Sequence, residues 1–394
     1  MIHKDETTNL LKNLVEIQSP YFQEQAVMAY AMKWLTAHGL EPRLHTYADE
    51  KVTGFHGENI YLELDGGEAG PVICLNGHLD TVPECKGWTA PVSGEKRGER
   101  LYGLGALDMK SGCASLMTAL AHFKKDHPVF RGKIKAALVS VEEGPFGLGT
   151  NALIEDGLLD DVDFCIVTEP SAGFTSRPFP TLCLGARGGY GLEVEFYGKS
   201  AHAASPELGV SAAEDMAAFV QQLRHVKYIQ DPHLGQGTCC VVSMHADGGT
   251  CSVPDFACVK LFWHIVVGET PQTIAAEVEA AIQRAGVHCT YAIHFREAPS
   301  EGSRGFMPYT VDRREPMVQQ FERSILRITG SQPEIAYFQS IGDFCYLGTR
   351  LHAPTIIFGA SGQSFHGADE YVELDSVWRT AQVLYDFLSE TMAP

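Results

Sequence analysis

The chain lacks any apolar run approaching the roughly 20 residues that a membrane helix needs, so no membrane span is expected. Its first stretch, MIHKDETTNLLKNLVEIQSP, has no apolar h-region, and no signal peptide is expected either. Basic residues are scarce: 30 Lys and Arg stand against 49 Asp and Glu, for a net charge of −19 at pH 7. Nucleic-acid binding rests on basic patches, so that class is set aside. There is no Cys-x-x-Cys, and the 11 Cys are scattered through apolar runs, as at Cys74, Cys165 and Cys239–Cys240. That opposes a disulfide framework and a thiolate zinc site. Unpaired Cys used as small hydrophobes fit a reducing, cytoplasmic setting. Internal repeats and low-complexity segments are also missing. What remains, 394 residues of which 45% are hydrophobic, is enough for one large or two moderate domains.

One stretch organises the rest: NGHLDTVPECKGWTAPVSGEKRGERLYGLGALDMKSG, from Asn76 to Gly112. His78 and Asp80 follow an apolar run at 72–75, and Asp108 precedes a small-residue helix start. Glu142 and Glu143 follow the strand-like run 135–141, Glu169 follows 164–167, and His366 follows 355–358. In open α/β sheets ligands bind outside the carboxyl ends of the strands. These residues are therefore read as one metal site built from several strand ends. Imidazole and carboxylate suit zinc and related divalent ions. Asp80 would share a strand face with His78 and could hold the second imidazole N–H. Asp108 could bridge two ions through its two oxygens. Glu142 and Glu143, adjacent on extended backbone, would point to different sides. One could then bind metal while the other acts as general base. Singly, each pattern is commonplace: an Asp before a helix is usually a cap. Their conjunction carries the reading.

The segments GHLDTVP, GLGALDMKSG, VEEGPFGLGT, TEP and FHGADEYV, in that order, resemble the M20 metallopeptidase and amidohydrolase family. The resemblance runs from about Leu10 to the end. It implies two divalent ions, zinc with cobalt or manganese as alternatives. His78 and Glu169 would hold one, Glu143 and His366 the other, with Asp108 bridging. It also implies Glu142 as the catalytic base. The expected activity is amide hydrolysis on a small N-acyl amino acid. Dipeptidase or carboxypeptidase action is the runner-up, and a non-catalytic binding module is the alternative from another class.

Alternating strands and helices predict an α/β fold, and the resemblance specifies a zinc-exopeptidase-like mixed sheet with helices on both faces. The pattern changes near Gly185. A strand with Leu192, Val194 and Phe196 is followed by a helix with Met216, Phe219, Val220 and Leu223 on one stripe. Strands at 239–244 and 257–266 come next. A helix then opens at Thr270-Pro271, and a last strand spans 289–295. This β-α-β-β-α-β order predicts an inserted ferredoxin-like α+β domain at 186–297, between catalytic segments 1–185 and 298–394. The resemblance makes that insertion a lid and dimerisation domain. It implies a homodimer in which His202, in GKSAHAASP, helps stabilise the oxyanion in the other subunit's site. One departure stands out. Cys251 and His264 occupy positions where many such deacylases carry Asn and Arg. A single-donor imidazole does not copy the guanidinium fork, which leaves Arg187, Arg304 and Arg350 as candidates for a substrate carboxylate.

Overall fold

The computed structural model describes residues 2–393. They divide into two units, Met1–Ala186 with Thr310–Pro394, and Arg187–Tyr309. Eight strands of a nine-stranded mixed sheet carry the first unit. Across it run Arg43–Asp49, Phe55–Asp65, Phe130–Val139, Gly67–His78, Phe164–Val167, Thr355–Ile357 and Thr181–Ala186, with Glu334–Phe338 also beside the last. Gly67–His78 is parallel to both its neighbours, and Phe164–Val167 is parallel to Thr355–Ile357. Four strands therefore end on the same side, at Val139, His78, Val167 and Ile357. Parallel strands covered on both faces read as continuous apolar runs. Ile73 to Leu75 and Phe164 to Val167 are accordingly fully buried.

Lys110–Asp126 packs against Lys4–Glu16 and Leu374–Met392, while Leu148–Glu155 and Phe344–Arg350 form a second packed pair. The first turns of Lys110–Asp126 are Ser111, Gly112, Cys113, Ala114 and Ser115, all buried. Small side chains let this helix lie close to the sheet. Gly112 is the tightest point, because a methyl there would overlap the Thr168 carbonyl. Thr168 immediately precedes Glu169, so one missing side chain sets the spacing between two strand-end acids. Lys124 and Lys125 fall in the last turn, where cations favour the helix dipole.

The second unit holds a four-stranded antiparallel sheet in the order Thr238–Ala246, Phe256–Ile265, Gly188–Tyr197 and Thr290–Phe295. Helices Ala212–Gln222 and Pro271–Ala285 pack together. They share a core with Leu192, Val194, Phe196, Val259, Leu261 and Trp263. Thr270 caps the second helix reciprocally with Thr273, and Gly286 at φ 64° ends it. A two-stranded hairpin, Gln230–Asp231 with Gly235–Gln236, precedes the edge strand. The unit extends past residue 297 to Tyr309. Phe306 bridges to Gly189, and Gly305 lies against the Tyr190 ring where a side chain would clash. These contacts tie 298–309 to the small sheet.

Gly112→Ala should lower stability by about 1–3 kcal/mol, the usual range for overpacking a close-packed interior. Urea unfolding of the purified variant measures this. An unchanged midpoint would mean that the Thr168 approach does not set the helix position.

Candidate metal centre

All five expected ligands lie in the first unit, each just beyond a strand end or at the start of a helix. His78 is the last residue of its strand and is buried. Its Nε2 stands 3.4 Å from Asp108 Oδ1, 3.4 Å from Glu169 Oε1 and 3.8 Å from Glu142 Oε2. His366, in an exposed loop at φ 57°, places Nε2 2.8 Å from Glu143 Oε1 and 3.3 Å from Asp108 Oδ2. Two donor groups result, His78–Asp108–Glu169 and Asp108–Glu143–His366. Asp108 belongs to both and turns one oxygen towards each imidazole.

Unsatisfied atoms mark this place as built for a cation. His78 Nε2 and Glu169 Oε2 are buried without a hydrogen-bond partner among the described residues. Such orphans are rare and costly. Carboxyls outnumber imidazoles, and the acids hold protons to relieve one another. Burial, then the charge of Asp108, pushes Glu143 up to about 7 and Glu169 up to about 8. Burial raises Glu142 well above the carboxylate range. Burial opposes a proton on His78, but Glu169 with Asp108 and Asp80 outweighs it and raises the imidazole. Hydrogen bonds to Asp108 and then Glu143 raise His366 to about 11. Asp108 is held down at about 2 because its two imidazole partners outweigh burial. The nitrogen and oxygen donor set fits zinc and its neighbours, and a divalent ion in each group would replace those trapped protons.

Asp80 does more than the sequence reading assigned to it. The strand ends at His78, and the closest contact of His78 Nδ1 is the Asp80 backbone carbonyl, at 3.1 Å. The Asp80 carboxylate lies at 3.4 Å from that nitrogen. It accepts hydrogen bonds from the backbone N–H of Glu142 (3.2 Å) and Glu143 (2.9 Å). Asp80 thus links the His78 strand end to the Glu142–Glu143 bend. Glu142 Oε1 in turn accepts from the backbone N–H of Asp343 at 3.0 Å.

Sequence reasoning passed over two acids. Asp343 is buried at the start of Phe344–Arg350. It accepts from the Thr150 hydroxyl through Oδ2, while Oδ1 has no partner among the described residues. With Glu142 and Glu169 it forms a third group of donors. No local sequence pattern marks it. Glu370 is the other, buried at the end of the loop that carries His366. His202 lies in the second unit on an exposed bridge to Ser252, its Nδ1 accepting from Ala204 N–H. Arg350 is engaged with Asn151 and Glu155, Arg304 with Glu301, and Arg187 with the Leu234 carbonyl.

Strand-end acids and imidazoles in paired donor groups on a mixed α/β sheet define a class, that of metal-dependent hydrolases. The profile of peptidase family M20/M25/M40 matches residues 74–390, and the chain belongs to that family. It is a hydrolase of amide bonds. A succinyl-diaminopimelate desuccinylase of Psychrobacter arcticus is 26% identical over 400 residues, covering 99% of this chain and 95% of its own. Among solved structures, the aminopeptidase PepT of Bacillus cereus superposes with a TM-score of 0.79 at 18% identity, covering 99% of each chain. The YXEP protein of Bacillus subtilis, described as a dinuclear metal binding peptidase, does so at 0.74 and 14% identity, covering 98% of this chain and 99% of that one. No helix among the described residues is long and apolar enough to cross a membrane.

Proton release should accompany metal loading. Glu143, Glu169, His78 and His366 all have folded-state values above their ordinary ones. The metal-free fold therefore binds extra protons and loses stability as pH rises from about 5 through 8 on account of the two acids, and on towards about 11 on account of His366. Calorimetric titration with zinc at pH 6.5, in buffers of differing ionisation enthalpy, should report roughly four protons released per chain, one each from Glu143, Glu169, His78 and His366. Binding with no proton release would contradict this electrostatic picture.

Proposed function

We propose that this protein is a two-metal amidohydrolase that removes the acyl group from a small N-acyl amino acid. The observation that carries the reading is Asp108, whose two oxygens face two different imidazoles. His78 and Glu169 would hold one ion, and Glu143 and His366 the other, with Asp108 between them. The donor chemistry suits zinc, with cobalt or manganese as substitutes. Bound ions would supply Lewis-acid polarisation of the scissile carbonyl and a lowered water pKa.

Glu142 is the base in this reading. It is part-buried, fixed through Asp343 N–H, and raised well above the carboxylate range by its burial. A base with such proton affinity takes a proton from the attacking water and returns it to the leaving nitrogen. Asp80 orients Glu142 and Glu143 together through their backbone amides. The full-length similarity to desuccinylases favours an N-acyl substrate. The fold shared with PepT supports a short peptide as the second reading.

The unit Arg187–Tyr309 would act as lid and dimerisation domain, with His202 completing the partner's site. Its edge strand Thr238–Ala246 is exposed along most of its length, including Val242 and Met244. Such an edge invites pairing with another strand. A cytoplasmic setting agrees with 11 unpaired cysteines, most of them buried or part-buried.

A panel of N-acetyl amino acids, N-succinyl amino acids and dipeptides, assayed with added zinc or cobalt, tests the substrate class. Turnover only on dipeptides would replace the deacylase reading. Glu142→Gln should cut kcat about 10²–10⁴-fold while metal content stays at the wild-type level. Retained turnover would move the base elsewhere. For the dimer, mixing His202→Ala and Glu142→Gln chains should restore activity once subunit exchange is demonstrated. A protein that stays monomeric at high concentration would remove that part of the proposal.

A further inference from the structure

The loop that carries His366 continues into Asp369 and Glu370, and both reach back into other parts of the first unit. The Asp369 carboxylate accepts from the N–H of Thr89 and Ala90 and from the Thr89 hydroxyl. Glu370 is 1% exposed, yet its carboxylate touches no cation within ion-pair distance among the described residues. It accepts three backbone N–H groups instead: Gly105 at 3.0 Å on Oε2, Leu107 at 2.7 Å and Asp108 at 3.0 Å on Oε1. The Glu370 carbonyl also accepts from Gly103 N–H at 3.0 Å. The turn that presents Asp108 is therefore wrapped around a single buried side chain. Three backbone N–H groups held by one buried carboxyl restrict the turn strongly. They fix the backbone next to the only residue common to both His-containing donor groups. The same short loop so supplies one imidazole and aims the shared carboxylate.

We propose that Glu370 is a positioning residue for both ions: it sets Asp108 through the 105–108 turn and thereby couples the two donor groups to the His366 loop. The proposal rests on the two-ion reading. Glu370 itself touches neither ion. Residues that orient ligands typically change metal affinity by about 10–100-fold when lost. A shift at Asp108 would weaken both sites together, whereas loss of a residue serving one group would weaken one.

The test is metal affinity, measured by calorimetric titration of the metal-stripped protein with zinc, alongside its thermal midpoint. Wild-type protein that binds no ions would defeat the two-ion reading before Glu370 is reached. Glu370→Asp keeps the charge but is a methylene too short to span the three amides. It should weaken both ions by about 10–100-fold. Glu370→Gln keeps the reach and an acceptor oxygen, so it should lose less. The opposite ranking, with Asp near wild type and Gln impaired, would show through-space charge at work and overturn positioning. A lowered thermal midpoint with unchanged affinities would show a structural role only and also overturn it. In an Asp108→Asn background, Glu370→Asp should change the residual affinity by less than about 2-fold, because coupled residues are non-additive. An undiminished loss there would show that Glu370 does not act through Asp108. If Glu370→Gln does not fold, Glu370→Asp and the double variant decide the matter.

Discussion

Buried negative charge is the constraint around which the first unit is arranged. Asp80, Asp108, Glu142, Glu169 and Asp343 converge beyond parallel strand ends where little water reaches. Like charges that close cannot all ionise without compensation. The fold answers in two ways. Backbone amides take part of the load: Asp80 receives two, and Glu142 receives one from Asp343. Protons take the rest, which is why Glu143 and Glu169 sit near neutrality while both imidazoles are held charged. Neither device satisfies His78 Nε2 or Glu169 Oε2. A site crowded with acids, with a buried carboxylate oxygen left unpartnered, is one suited to cations.

The scaffold that tolerates this is stiff for identifiable reasons. Parallel strands bring four C-terminal ends to one side. The close approach of Gly112 to Thr168 locks the Asp108 helix against the Glu169 strand. Left-handed backbone at Val141, Ser364, His366 and Asp369, none of them glycine, sharpens the turns on which the ligands sit. Such conformations persist only where the surroundings over-determine them, and they cluster at functional sites.

Much of this was legible in the sequence, because the ligands come directly after apolar runs and their types are diagnostic in combination. His78, Asp108, Glu143, Glu169 and His366 do fall together. The inserted unit was readable for a similar reason: Leu192, Val194 and Phe196 alternate with Glu193 and Glu195, which fits a sheet with one packed face. Other features depended on contacts that no local pattern announces. Asp80, expected beside the His78 imidazole, lies 3.4 Å from its Nδ1 and in addition serves distant backbone amides. Nothing local in the sequence singles out Asp343 or Glu370. Only the folded chain shows that each is buried against residues far away in sequence. The strand Thr181–Ala186, the last of the first sheet before the excursion, and the helix Pro316–Thr329, which follows it, carry no comparable signal. The excursion ends at Tyr309 and not at 297, because Gly305 and Phe306 dock on Tyr190 and Gly189 without any periodic signature.

The missed residues share a property that bears on how such centres are built. Ligands are recognisable because their chemistry limits them to a few residue types. The groups that aim them are limited only by geometry, so an acid doing that work is indistinguishable in sequence from a solvated one. Burial separates the two. A carboxylate at 1–2% exposure must meet a cation, satisfy several N–H donors or take a proton, and this chain shows more than one of these outcomes. Glu169, with an orphan oxygen, belongs to the first kind; Glu370, with three amides, belongs to the second. Asp343 has one oxygen of each kind, a hydroxyl on Oδ2 and nothing on Oδ1. It stands between the scaffold and the site, joined to the proposed base through its own N–H.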